Sequence, residues 1–321
     1  GFAAQELGNN LKTYFAKFDY NQGVDESSKA RQIAEKYKTD HYEIEINDYD
    51  TVEAIVKMVE AHDHPFSDAA NIPIYLISKK IKDKTKVILQ GDGGDELFGG
   101  YKRYKTLANF KSMKLLSNLG RVLNKFTFKN SGYYRRQRYI DALSHDSDFE
   151  ILAALLTVES KRYKPTHVLC DLFREKVESF DYLKRYKEII KKFKDQDLVN
   201  KMLMTDLEII LPDIFLEKVD RASMASSVEI RVPFLDNHLI DFCIELPSSL
   251  KLKKGNQKYL LKKALYGIVP NNILNGPKVG FSLPVSNWIK RPLLKEFFWD
   301  NFKSFNFSNP NIFDERLVSK I

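Results

Sequence analysis

Lys86-Val87-Ile88-Leu89-Gln90-Gly91-Asp92-Gly93-Gly94-Asp95-Glu96-Leu97-Phe98-Gly99-Gly100-Tyr101 is the stretch on which the fold turns. The apolar run Val87-Ile88-Leu89 predicts a short buried strand over Lys86 to Gln90. An acidic, glycine-rich turn follows, and a helix opens behind it. Gly91, Gly93 and Gly94 permit unusual backbone angles and the close approach of a ligand. Backbone N–H groups at a helix start favour phosphate. Asp92, Asp95 and Glu96 would repel a nucleotide on their own. They make sense beside phosphate where one or more holds Mg²⁺, a cation that takes oxygen ligands. An acidic surface turn explains the same residues equally well. Two familiar nucleotide loops are excluded. No G-x-x-x-x-G-K-[S/T] occurs, and Glu96 stands where the dinucleotide fingerprint needs its third glycine.

Upstream of this stretch, strand and helix patterns alternate. Leu11 to Phe18 and His41 to Ile46 read as strands. Asp25 can cap a helix from about Glu26 to Lys38. Val52, Ile55, Val56 and Val59 share one face of a helix, and Pro73 fits the first turn of another whose stripe is Ile74, Ile77 and Ile81. Gly1 to Leu7 reads as the end of a helix. Such alternation predicts a parallel sheet covered on both faces, with ligands at the carboxyl ends of its strands. From about Lys105 to Lys201 the pattern is helical and lysine-rich, with no recognisable chemistry.

The bulk composition excludes several classes. The 321 residues are 43% apolar and 29% charged, which suits a globular chain. Net charge is +8, but of 51 basic residues 38 are scattered lysines. The densest patch, Tyr133 to Tyr139, is short and single, so nucleic acid is not the expected partner. The longest apolar run, Ile151 to Leu156, is far below the ~20 residues of a membrane span. Cys170 and Cys243 form no C-x-x-C pair, and a reducing, cytoplasmic compartment is expected. Cys243, between Phe242 and Ile244, reads as core. His62 and His64 form an H-x-H pair beside Asp63, but spacing of i, i+2 on a helix would split the rings and argues against zinc.

Two later segments hold candidate chemistry. Glu217, Arg221 and Met224 share a helix face, and Val228-Glu229-Ile230-Arg231-Val232 alternates with period two. These charges form either a solvated surface or a cleft for an amino acid, where a guanidinium suits the α-carboxylate and an acid suits the ammonium. Lys278, in the loop Gly276-Pro277-Lys278-Val279-Gly280-Phe281-Ser282-Leu283-Pro284, matters if that loop closes on a nucleotide and steadies departing pyrophosphate.

Taken together, the segments resemble the synthetase domain of the glutamine-hydrolysing asparagine synthetases. Tyr75 to Ile81 precedes the strand as in that family, and Gly91 to Tyr101 is similar to its Gly-[Glu/Asp]-Gly-x-Asp-Glu-x-Phe-Gly-Gly-Tyr. Val219 to Ala225, Glu229 to Asp236 and Pro277 to Ser282 are equally typical. The blocks occur in order over roughly two thirds of the chain, to which residues 105 to 200 contribute little.

The resemblance implies an α/β fold of the adenine-nucleotide α-hydrolase type, the PP-loop ATP pyrophosphatases. Residues 1–104 would form the nucleotide-binding part, and residues 105–321 a mainly helical part completing the active site. It implies that ATP and L-aspartate yield β-aspartyl-AMP and pyrophosphate with Mg²⁺, and that ammonia then gives L-asparagine and AMP. By motif position, Asp92 and Lys278 would be catalytic, and Asp95 would serve Mg²⁺ and pyrophosphate. Gln90 and Gly91 would line the nucleotide, and Ala16 would lie near adenine. Arg221, Glu229 and Arg231 would shape the aspartate pocket or form a structural ion network.

The family's Ser-Gly-Gly-x-Asp-Ser loop and its N-terminal glutaminase domain would precede Gly1. The chain is therefore read as part of a longer protein, lacking half of the triphosphate clamp and unable to make its own ammonia; its last helix reads as incomplete too. A homodimer stays open. Alternatives are a relative that adenylates another carboxylate, as β-lactam synthetases or surface-polysaccharide amidating enzymes do, or a scaffold or nucleic-acid-binding protein with a degenerate site. Retention of Asp92, Asp95 and Lys278 argues against the last of these.

Overall fold

The computed structural model describes residues 1–18, 26–46, 48–115, 131–156, 169–276, 290–304 and 312–314. The first half of the chain forms α1 (Phe2–Leu7), β1 (Lys12–Phe18), α2 (Ser27–Tyr37), β2 (Asp40–Ile46), α3 (Asp48–His62), α4 (Asn71–Ile81), β3 (Val87–Leu89), α5 (Gly94–Phe98), α6 (Lys102–Ala108), α7 (Ser131–Leu143) and α8 (Asp148–Leu156). The remainder includes α9 (Asp171–Glu178), α10 (Lys184–Lys192), α11 (Leu198–Thr205), a π-helix (Asp206–Leu216) containing Pro212, α12 (Glu217–Met224), β4 (Glu229–Arg231), α13 (Asn237–Glu245), α14 (Ser248–Lys251), α15 (Tyr259–Ala264), α16 (Asn271–Leu274) and α17 (Pro292–Ser304). No described helix is long and apolar enough to cross a membrane.

The chain folds as two compact units. One combines Gly1–Gly93 with Pro212–Leu239 and Tyr259–Ser304; the other is built chiefly from Gly94–Leu211 and Ile240–Lys258. Both the first 104 residues and the remainder therefore contribute to each unit.

The first unit carries two parallel strand pairs. β1 lies beside β2 in the register Lys12↔Asp40 to Phe18↔Ile46. α2 supplies the crossover that parallel pairing requires. It starts at Ser27 with Glu26 at the cap position and no side-chain cap, while Asp25 lies outside the described residues. Lys38, at φ 51°, ends the helix in the left-handed conformation. β3 pairs in parallel with β4, Val87↔Glu229 to Leu89↔Arg231. The core joins Ala16 and Ile46 of the strands to Ala54 and Met58 of α3, Ile72, Tyr75 and Leu76 of α4, Ala222 of α12 and Leu294 of α17.

Three expectations need correction here. The buried face of α3 is Thr51, Ala54 and Met58, whereas Val56 and Val59 are exposed. The small Ala54 lets the helix approach the core more closely than the larger Val56 and Val59 would. On α4 the deepest residues are Ile72, Tyr75, Leu76 and Ile81, so Ile74 and Ile77 sit on the shoulder of the stripe. β3 is not buried: Val87 is 39% and Leu89 56% exposed, because alternation turns both to the same open face.

The second unit is helical. Its core packs Tyr104 and Leu107 of α6, Ala142 of α7, Ile151, Leu152 and Leu155 of α8, Tyr186 and Ile189 of α10, and Met202 and Leu203 of α11. The run Ile151 to Leu156 is thus a buried helix face, and Cys243 is wholly buried, as its apolar neighbours implied.

Lys251 ends α14 with only 1% exposure, its Nζ 3.1 Å from Asn200 Oδ1. Burial pulls its pKa down from 10.5 to about 8. The unfolded chain keeps this proton up to 10.5 and the folded chain releases it near 8, so between these values the unfolded state binds more protons. The contribution of Lys251 to stability therefore rises with pH across that window and is a cost of about 3 kcal/mol at neutral pH. Lys251→Met is expected to raise the unfolding free energy at pH 7 and to flatten its rise from pH 8 to 10.5. Urea unfolding of both forms at pH 7 and pH 10 measures this; identical pH slopes would contradict it.

Candidate active site

The division between the units falls inside the glycine-rich motif, between Gly93 and Gly94. Each half is organised by its own unit.

In the first unit the motif leaves the carboxyl end of β3. The Gln90 backbone N–H donates to the Arg231 carbonyl oxygen at 2.9 Å, so the turn starts in register with β4. The Gln90 side-chain amide donates to Asp92 Oδ2 at 2.7 Å, which ties together two of the candidate residues. Gly93 has φ +87°, and a Cβ there would meet Leu235 Cδ2 at 2.4 Å. Glycine is thus required by both backbone and space. At Gly91 the position of a Cβ is open, with no heavy atom within 4 Å. Gly94 is already helical and buried.

In the second unit Asp95 Oδ1 lies 2.7 Å from Lys258 Nζ. Gly100 closes this corner: a Cβ there would stand 1.6 Å from Asp95 Oδ1 and 2.5 Å from Lys258 Cε. Glu96 is 2% exposed and accepts a hydrogen bond from the Tyr101 hydroxyl at 2.5 Å. It is therefore a structural group rather than a third carboxylate facing phosphate.

Behind the motif, Arg103 donates twice to Asp206, at 3.1 and 2.7 Å, and the Tyr104 hydroxyl donates to the same carboxylate. The Arg103 guanidinium lies 4.0 Å from the centroid of Tyr101. Burial pushes the Asp206 carboxyl up to about 6, against the opposing pull of Arg103 and Tyr104. Sequence reasoning missed this cluster; its one signal is a lone acid following the apolar run of α11.

Arg231 Nε pairs with Glu229 Oε1 at 2.7 Å, and both side chains are exposed. Arg221 Nε pairs with Glu217 Oε1 at 3.0 Å, across the helix face the sequence assigned them. Ala16 is 8% exposed, its methyl group in the apolar core. Lys278 and the rest of its loop, residues 277–289, lie outside the described residues.

A cavity of about 680 Å³ also lies in the first unit, lined in part by Ile55, Met58, His62, His64, Phe66 and Phe298. Close by, Lys218 Nζ pairs with Asp68 Oδ2 at 2.9 Å. Burial holds the pKa of His62 below its ordinary value, with Glu217 opposing. The rings of His62 and His64, expected to diverge, lie 5.9 Å apart.

A family model described as asparagine synthase matches residues 1–321. The chain belongs to the asparagine synthase family. Among curated members, asparagine synthetase [glutamine-hydrolyzing] 1 of Bacillus subtilis is 31% identical over 292 residues, covering 90% of this chain and 45% of that protein. Asparagine synthetase [glutamine-hydrolyzing] 3 of the same organism is 25% identical over 302 residues, covering 87% and 42%. A protein named amidase chry2, from Gibberella zeae, is 22% identical over 322 residues, covering 90% and 46%. This asparagine synthase-family chain spans less than half the length of these relatives.

The Asp206 cluster yields a stability test for the family motif. Asp206→Ala leaves the half-buried Arg103 without its carboxylate and is expected to cost about 3–5 kcal/mol. Tyr104→Phe, which removes one hydrogen bond to the carboxylate and leaves the ion pair, is expected to cost about 2 kcal/mol. Urea unfolding checks both, and equal costs for the two variants would contradict the ion pair as the main support.

Proposed function

We propose that this chain is the ATP-using part of an enzyme that amidates L-aspartate to L-asparagine. The observation that carries the reading is the family match from the first residue to the last. On this reading the side-chain carboxylate of aspartate attacks the α-phosphorus of ATP. The bond from that phosphorus to the bridging oxygen breaks, pyrophosphate leaves, and β-aspartyl-AMP forms. Ammonia then attacks the acyl carbon, gives up a proton and displaces AMP. The ammonia would come from glutamine hydrolysis in an N-terminal domain of a longer polypeptide.

The chain's own residues divide this work. Gln90 and Gly91 line the nucleotide, a role suited to the open space at Gly91. Ala16, its methyl group in the core, would meet adenine through its backbone. Asp92, oriented by the Gln90 amide, assists adenylate formation and takes the proton from ammonia. Asp95 has the oxygen donors that suit Mg²⁺, with Lys258 already partnering one of them. When bound, Mg²⁺ supplies neutralisation of phosphate charge. Lys278 stabilises charge on the departing pyrophosphate. Arg221, Glu229 and Arg231 shape the aspartate pocket, where guanidinium groups now paired with neighbouring acids can exchange to the substrate carboxylate.

A second reading keeps adenylation and changes the acceptor. It is favoured by two relatives named amidases, chry2 of Gibberella zeae and chyE of Penicillium rubens, at 22% and 23% identity. ATP–pyrophosphate exchange decides between the two, measured with Mg²⁺ on the natural polypeptide that carries these residues. Exchange that requires L-aspartate and falls by about 10²-fold or more in Lys278→Ala is the expected result. Exchange with another carboxylic acid but not aspartate establishes the second reading. No exchange with any acid overturns both.

A further inference from the structure

The H-x-H pair does what its spacing on a continuous helix would forbid. α3 stops at His62, and Asp63 adopts φ 56°, a left-handed turn that swings His64 back toward His62. The two rings meet edge to face, with an interplanar angle of 89°. The first residue of α12, Glu217, faces the same point. Ligand atoms of His62, His64 and Glu217 all lie within 4.8 Å of one another.

The hydrogen-bonding state of each imidazole is informative. His64 Nδ1 lies 2.6 Å from the His62 carbonyl oxygen. A carbonyl only accepts, so Nδ1 carries the proton and Nε2 presents its lone pair. Ligating histidines are commonly oriented by donating the other N–H to a backbone carbonyl. His62 is 2% exposed, and neither of its ring nitrogens has a hydrogen-bond partner among the described residues. A buried polar side chain with no partner calls for an explanation. Its ring is fixed by stacking on Phe66, centroids 4.0 Å apart and nearly parallel at 6°. Glu217 is steadied in turn by Arg221 at 3.0 Å, and its Oε1 stands 3.9 Å from His62 Nδ1.

We propose that His62, His64 and Glu217 form a site for a first-row divalent cation of the Zn²⁺ class, with its remaining coordination open to the adjoining cavity. Two imidazole nitrogens and one carboxylate are a borderline donor set, suited to Zn²⁺ or Co²⁺ and poor for Mg²⁺ or Ca²⁺, which prefer all-oxygen ligands. Tetrahedral ligands at ~2.0–2.1 Å from the ion stand about 3.3 Å apart. Side-chain rotation closes that difference at His64, which is exposed, and at Glu217, which is half-buried. The site is chemically separate from the Mg²⁺ expected at Asp95. The competing account is a neutral core imidazole held by Phe66 alone.

Titration of the full chain with Co²⁺, followed by its visible d–d absorption, separates the two accounts without recourse to enzymatic activity. One equivalent is expected to bind, to be displaced by Zn²⁺ and to resist excess Mg²⁺. Because His62 is buried, the decisive variants are His64→Ala and Glu217→Gln, with circular dichroism confirming the fold. Each is expected to weaken Co²⁺ at least tenfold. A wild-type chain that shows no stoichiometric Co²⁺ signal, or folded variants that bind Co²⁺ as tightly as it does, would overturn the site.

Discussion

Asp206 is fully buried, and a lone carboxylate there would cost more than a domain of ordinary stability can spare. Its satisfaction by Arg103 and Tyr104 is the constraint from which the second unit's part of the motif follows. Arg103 cannot leave Asp206 without stranding two charges, so α6 is held against the head of the π-helix. Arg103 in turn lies over Tyr101, and Tyr101 donates to Glu96. The end of the glycine-rich motif is therefore fastened to a buried ion pair rather than hanging as a surface loop. This bears on the bland reading of the motif as an acidic turn: one of its three acids is consumed in support, which leaves the half-buried Asp92 and Asp95.

Those two carboxylates are treated differently by their surroundings. Asp92 accepts a hydrogen bond from the Gln90 side-chain amide, which orients the carboxylate. Asp95 is held by an ammonium, in a corner that only glycine at position 100 leaves open.

The regular elements were legible because their signals are local. The alternation of His41 to Ile46 and the apolar run of Ile151 to Leu156 each describe a face that the structure buries, and Glu217 and Arg221 pair on the helix face their spacing implied. Fine placement was less legible. The spacing of Val52, Ile55, Val56 and Val59 favoured one face of α3, whereas the core took Ala54 and Met58 and left Val56 and Val59 exposed. The Arg103–Asp206 pair joins residues 103 apart in the chain, and no local pattern connects them. Lys251 looked like one surface lysine among many; its burial follows from packing against Asn200, which is visible only in three dimensions.

The remaining misses share a cause. Periodicity describes the interiors of helices and strands, but the groups with chemistry here sit where those elements stop. Gln90 and Asp92 meet just past the end of β3, in a turn completed by Gly93 at φ +87°. Asp95 and Lys258 meet beside Gly100, immediately after Gly99 at φ +73° closes α5. His62 and His64 meet because Asp63 breaks α3 at φ 56°. At Asp63 one left-handed residue redirects the chain and brings together two rings that a continuous helix would point apart. A glycine announces such a position from the sequence, because it tolerates the conformation at no steric cost. Asp63 does not: an acidic residue visits the left-handed region less often, with its short polar side chain easing the strain. The glycine-rich turn could therefore be anticipated from its glycines, whereas the histidine pair was judged on the geometry of a helix that in fact ends at His62.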